Sequence, residues 1–278
     1  MPVSVFAAVV FAAFLHAAWN ALIKSGRSKT GGALTLVLLQ GVFGAVLVMT
    51  RPWPETHVWY WLVGSGLFHT SYMLFLALAY EKGDLSRVYP IARGAAPMVV
   101  TLVSILALVD RIAPLEYLGI IVLGLGVAVM AQGAFRNDEN RRLVPLALGS
   151  AMMTAGYSLV DGLGARAAGD AVLYTSWLFV LNAVFFLPIS LFMGGRELLP
   201  QDGREWLRGT VAAAASYGAY VIAIWAMTQA PIALVAALRE SSILFALLIG
   251  WLVFRDRMDL PKVLAAVMIL SGMVLMRF

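Results

Sequence analysis

Ten stretches of this chain are apolar for long enough to cross a bilayer, and no other feature narrows its fold so far. They fall at about 3–23, 32–50, 58–80, 86–109, 115–132, 143–163, 172–193, 207–228, 231–254 and 260–277; a helix needs roughly 17 to 25 such residues to cross hydrocarbon. Charge or Pro/Gly bounds each one, as at Arg51-Pro52-Trp53-Pro54, Asp110-Arg111 and Arg255-Asp256-Arg257. The chain is 62% hydrophobic and 13% charged, with a mean hydropathy of +0.87. A soluble domain is nearer half apolar and a quarter charged, and it must cover a large surface with polar groups. Lipid removes that requirement. Backbone groups in hydrocarbon have to pair within their own segment, so the runs predict an all-α integral membrane protein of ten transmembrane helices. Residues 1–22 carry no charge, so the first run is expected to be a span and not a cleavable signal. The absence of cysteine excludes disulfides, thiolate metal sites and cysteine nucleophiles.

Loop charge predicts an orientation. Loops 1–2, 3–4, 5–6, 7–8 and 9–10 hold 14 Lys/Arg, the other loops and the C-terminus 4, and Arg93 and Arg239 lie within helices. The positive-inside rule makes the first set cytoplasmic and puts both termini outside. The pI of about 9.6 then reflects these loops, and no nucleic-acid partner is expected.

The two halves repeat. A shift of 146 sets Arg93 on Arg239, Leu102 on Leu248, Leu106 on Leu252, Asp110-Arg111 on Asp256-Arg257 and Gly126 on Gly272. A shift of 145 sets Trp61 on Trp206, Gly64 on Gly209 and Ser71-Tyr72 on Ser216-Tyr217; a shift of 138 sets Trp19-Asn20 on Tyr157-Ser158. The repeats are 1–135 and 143–278. Each has five spans, an odd number, so tandem copies lie in opposite orientations. Inverted repeats are an architecture of secondary transporters, with the solute site near the midplane.

The 5 + 5 arrangement and four stretches resemble the EamA-type members of the drug/metabolite transporter superfamily: residues 16–24 (HAAWNALIK), Tyr89-Pro90-Ile91-Ala92-Arg93-Gly94, residues 161–166 (DGLGAR) and residues 239–246 (RESSILFA). The resemblance covers essentially the whole chain. It implies a ten-helix carrier with a central cavity lined by helices 1, 3, 4, 6, 8 and 9. Family members typically place Glu before the basic residue closing helices 4 and 9, where this chain has Asp110 and Asp256.

Arg93 and Arg239 each lie about eight residues into a span, roughly 12 Å at 1.5 Å per residue, which is close to the midplane. An Arg there is costly and faces a cavity or a partner. Each is a candidate for solute binding, the other reading being a structural ion pair with Glu240 or Asp161. Glu240 could carry a coupling proton, bind a substrate amine or pair with Arg93, and Asp161 is a second coupling candidate. Helix 1 carries a polar stripe of His16, Asn20 and Lys24, and helix 6 one of Thr154, Ser158 and Asp161. Both stripes should avoid lipid, serving solute or helix packing. Trp19, Tyr89 and Tyr157 belong to the repeated and family stretches. His69, Tyr72, Tyr217 and Tyr220 supply aromatic rings with polar tips, suited to gripping an organic solute. Trp53, Trp59, Trp61 and Trp206 read as an interfacial belt.

Two enzyme readings fail. Asp161-Gly162-x-x-Ala165-Arg166 opens like a CDP-alcohol phosphotransferase motif, but Phe179 and Ala183 stand where its metal-binding aspartates belong. Ser65 and His69 share one helix, unlike the dyad of a rhomboid-type protease. No metal or cofactor spacing is present. The expectation is a monomeric, multi-pass carrier of the inner cell membrane, moving a small organic anion or zwitterion with a proton or ion as coupling partner. Its alternative is an exporter of uncharged or cationic compounds with internally paired arginines.

Overall fold

The computed structural model describes residues 1–26, 29–80, 96–106, 110–131, 143–193 and 199–278. Within them the chain is helical without strands: α1 (Val3–Lys24), α2 (Lys29–Val48), α3 (Thr56–Tyr80), α4 (Ala96–Leu106), α5 (Pro114–Ala131), α6 (Leu143–Ala168), α7 (Ala171–Met193), α8 (Gly203–Gln229), α9 (Ile232–Arg239), α10 (Ser242–Leu252) and α11 (Leu260–Arg277).

The ends of these helices are written in short polar signals. Asp202 accepts from Glu205 N to start α8, and Asp259 accepts from Lys262 N to start α11, the side chains satisfying N–H groups that a helix start leaves without partners. Gly169 ends α6 at φ 68°, where a side chain would be strained, and Asp170 Oδ1 immediately caps α7 through Val172 N and Leu173 N. Hydrophobicity alone places the start of α8 four residues late and the end of α6 five residues early. Capping and the buried polar face of α6 carry those helices beyond their apolar runs.

The span at 231–254 is two helices. Glu240 N bonds Ala237 O, Ser241 N bonds Leu238 O, Ile243 N bonds Glu240 O and Leu244 N bonds Ser241 O. This i to i−3 pattern is a tight 3₁₀ turn between α9 and α10, and such turns inside helices often mark hinges.

Large apolar side chains cover the outside, and polar residues are buried within an otherwise apolar core. Phe11, Val46, Phe192, Leu248, Trp251 and Leu270 are exposed, whereas Gln40, Ser65, Ser104, Ser150, Asp161, Thr175 and Glu240 are buried. Such an outer surface suits hydrocarbon. Six described spans, α1, the Gly31–Val48 part of α2, Ala171–Pro188 of α7, α8, Ile232–Leu252 and α11, are long and apolar enough to cross. The chain is a multi-pass membrane protein.

Packing follows the two-repeat plan. The most extensive helix contacts are α5 with α11, α3 with α6, α1 with α8 and α2 with α7. Exchanging the halves turns α3–α6 into α8–α1 and maps the other two pairs onto themselves. The α5–α11 seam shows this at residue level. A Cβ on Gly272 would lie 2.6 Å from Gly119 O, and one on Gly126 would lie 3.1 Å from Ala265 O. The offset of 146 carries Gly119 to Ala265 and Gly272 back to Gly126, so each contact is the image of the other. Small residues let these backbones meet directly.

Candidate functional site

Polar groups inside a bundle surrounded by lipid need partners, and among the described residues a concentration of them surrounds one cavity of about 130 Å³. Helix α1 contributes His16, Trp19 and Asn20; α3 contributes His69 and Tyr72; α6 contributes Tyr157; α8 contributes Tyr220; and Arg239 closes the wall at the end of α9. Eight residues singled out in the sequence thus meet at one place. Three more polar residues line it that sequence reasoning missed: Gln40, Asn182 and Ser216, with Gln40 Nε2 donating to Ser216 Oγ at 2.9 Å. Gln40 and Asn182 lie in the apolar runs of α2 and α7 without the i, i+4 spacing that marked His16 and Asn20.

The remaining candidates lie elsewhere. Arg93 and Tyr89 are outside the described residues. Ser158 and Glu240 line a small neighbouring pocket that shares Tyr157 and Arg239 with the main cavity. Ser158 is buried and donates to Thr154 O at 2.8 Å. Tyr217 is turned toward α7, its hydroxyl 2.6 Å from Ser176 Oγ and its ring against Phe43 and Phe179. Lys24 leaves the polar stripe of α1 to lie over the Phe254 ring at 4.3 Å. Trp53 and Trp59 cluster with Trp177, at centroid distances of 5.0 and 4.9 Å from it.

Arg239 is the cation of the cavity. Its guanidinium stands over the Tyr220 ring at 5.2 Å, and among the described residues it makes no ion pair. Asp161 is otherwise engaged. Fully buried, it accepts from Tyr174 Oη at 3.1 Å and, in a very short contact, from Tyr220 Oη, with His69 Nε2 at 3.2 Å. The His69 ring stacks on Tyr157 at 4.1 Å. Trp19 Nε1 and Asn182 Oδ1, on cavity-lining residues, have no hydrogen-bond partner among the described residues. Buried orphans of this kind cost about 1 to 3 kcal/mol each.

Two residues of the cavity wall also face a space nearer one end of the bundle. A second space of about 230 Å³ shares His16 and Asn20 and runs between α1, α5, α10 and α11 to Asp256, Arg257 and Lys262. The opposite end is clasped. Arg166 donates to Asp110 through Nη1 at 2.9 Å and Nη2 at 3.1 Å, and to Met227 O and Ala230 O at 2.8 and 3.0 Å. Asp110 also accepts from Ile232 N at 3.0 Å, at the start of α9. A second pair, Arg51 with Asp170, joins the α2–α3 connection to the start of α7 at the same end.

Residues 142–278 match the model of the EamA-like transporter family. This half of the chain belongs to that family, part of the drug/metabolite transporter superfamily, and the membership points to a membrane transporter. Members are transporters and not enzymes. A solved structure titled only "Crystal structure of protein" superposes with a TM-score of 0.74 at 18% identity, covering 99% of this chain and 96% of its own. At that identity the likeness speaks to the fold alone, and it extends through both halves. No curated protein matches the sequence.

Proposed function

We propose that the cavity beside Arg239 is the solute site of a secondary active transporter, and that its solute is a small organic anion or zwitterion such as an amino acid or a phosphonate. One observation carries the choice of charge. A guanidinium within a membrane span is costly, and among the described residues Arg239 stacks on the Tyr220 ring and makes no ion pair. Carboxylate or phosphonate oxygens match its planar fork, and such charge-assisted contacts are among the stronger polar interactions. Arg93, equivalent by repeat, is proposed to assist. Transport proceeds by rocking of residues 1–135 against 143–278 around the site, in the inner cell membrane with both termini outside.

The test is a thermal-shift screen of amino acids, phosphonates, sugars and nucleosides on purified protein, since a bound solute stabilises the fold by mass action. Anions or zwitterions should raise the melting temperature of the wild type, and R239K should lose that response at an unchanged melting temperature without solute. The aromatic wall of Trp19, Tyr72, Tyr157, Phe179 and Tyr220 would also suit an exporter of uncharged or cationic compounds. A response to those alone, unaffected by R239K, would select that second reading.

A further inference from the structure

We propose that His69, braced by Asp161, is a proton-binding site of the transport cycle. It takes one proton from the solution to which the cavity opens and releases it to the other side. This deepens the reading above and rests on the cavity being the solute path. His69 lines the cavity, whereas Asp161 behind it is fully buried. The imidazole is therefore the group of the pair that a proton can reach.

The pairing decides which nitrogen works. Asp161 holds two hydroxyl donors and the His69 Nε2 side of the ring, at 3.2 Å. A carboxylate only accepts, so Nε2 carries its hydrogen toward Asp161 and the tautomer is set. Nδ1 is left as the base, and it makes no hydrogen bond among the described residues. On protonation a new N–H bond forms at Nδ1 from a proton of the solvent, and the imidazolium keeps the Asp161 carboxylate as counter-ion. On release the same bond breaks and the neutral imidazole returns. Nothing else is consumed.

The surroundings of the ring come from several elements. Tyr157 and Asp161 face it from α6 and Tyr220 from α8, with Tyr174 of α7 reaching it through Asp161. Arg239 lies across the Tyr220 ring, His16 lines the same cavity and Glu240 the adjoining pocket. Tyr220 touches all three charged or titratable partners, since its hydroxyl meets Asp161 and lies 3.3 Å from His69 Nε2 while its face carries Arg239. An anion drawn to Arg239 thus arrives beside the imidazole. The cavity can take up a negative solute and a proton together.

The test uses the full chain in lipid nanodiscs, with ¹⁵N-labelled histidine. The three histidines, His16, His57 and His69, are assigned by substitution, and the spectrum is followed from about pH 5 to about pH 8, the range in which histidine charge ordinarily changes. His69 should gain a proton at Nδ1 as the pH falls, and D161N should abolish the step. In proteoliposomes containing a pH dye, with L-alanine and methylphosphonate as probe solutes, wild-type flux should move the dye. H69Q should move solute without the dye, with a flux that no longer varies with pH. Y174F removes a donor to Asp161 while sparing the imidazole. It should lower the melting temperature and keep the pH profile, which separates proton binding from structural support. The proposal is overturned if His69 stays neutral throughout, or if H69Q retains the wild-type pH profile. Should neither probe move, the titration decides alone. Solute flux without proton flux in the wild type would sink coupling and leave the transporter reading standing.

Discussion

Removing Asp110 should open the closed end of the bundle. Its carboxylate accepts two hydrogen bonds from Arg166 and one from Ile232 N, joining the connection after α4 to the end of α6 and the start of α9. Hydrogen bonds to charged groups contribute about 1.5 to 3 kcal/mol each, but both side chains are partly exposed, at 16% and 30%, so the sum is discounted for solvent screening. Arg166 also keeps Met227 O and Ala230 O, so D110A does not strand a bare charge. A net loss of about 2 to 3 kcal/mol remains. If the clasp exists only while this end is closed, the equilibrium shifts toward opening by roughly 30- to 150-fold, at about 1.4 kcal/mol per factor of ten. The chain has no cysteine, which makes the assay direct. A219C places a single thiol in the cavity wall, and a membrane-impermeant thiol reagent is applied from each side in turn. Labelling should come from the Asp256 side in A219C alone, and should rise from the Asp110 side once D110A is added. A folded D110A protein with unchanged sidedness would refute the clasp as a gate.

Three further outcomes follow from particular contacts. G272V forces a side chain into Gly119 O and should cost about 1 to 3 kcal/mol or prevent folding; thermal unfolding reads this, with G203A, whose Cβ meets nothing within 4 Å, as the neutral control. N182L removes an unpartnered buried polar atom and should raise the melting temperature while weakening binding of the solute found in the screen, two shifts of opposite sign that one titration shows. Reporter fusions at the C-terminus should be active only on the outer side, and strong activity of a cytoplasm-only reporter would reverse the orientation.

The spans were legible because bilayer thickness imposes a length on apolar runs, and loop charge and chain offsets could be read with no coordinates. The 3₁₀ turn at Glu240 and Ser241 was not, since no Pro or Gly marks it and the run remains apolar on both sides. Within the site, His16, Asn20 and His69 stood out as polar residues in apolar helices. Gln40 and Asn182 lack the i, i+4 stripe of His16 and Asn20, and they stand on helices outside the set that the resemblance implies for the cavity. Tyr217 and Tyr220 looked alike in sequence. Three residues apart, they point to neighbouring faces, and only Tyr220 reaches Asp161 and Arg239. That Asp161 is engaged by His69 and two tyrosines depends on packing between four helices, which spacing along one helix cannot express.

The central claim is that the cavity beside Arg239 is the path of a transported solute. The most direct measurement is uptake of the strongest ligand from the thermal-shift screen into proteoliposomes, comparing the wild type with A219F, which fills the cavity from a wall residue. Uptake should saturate in the wild type and vanish in A219F at an unchanged melting temperature; wild-type uptake by folded A219F would contradict the claim.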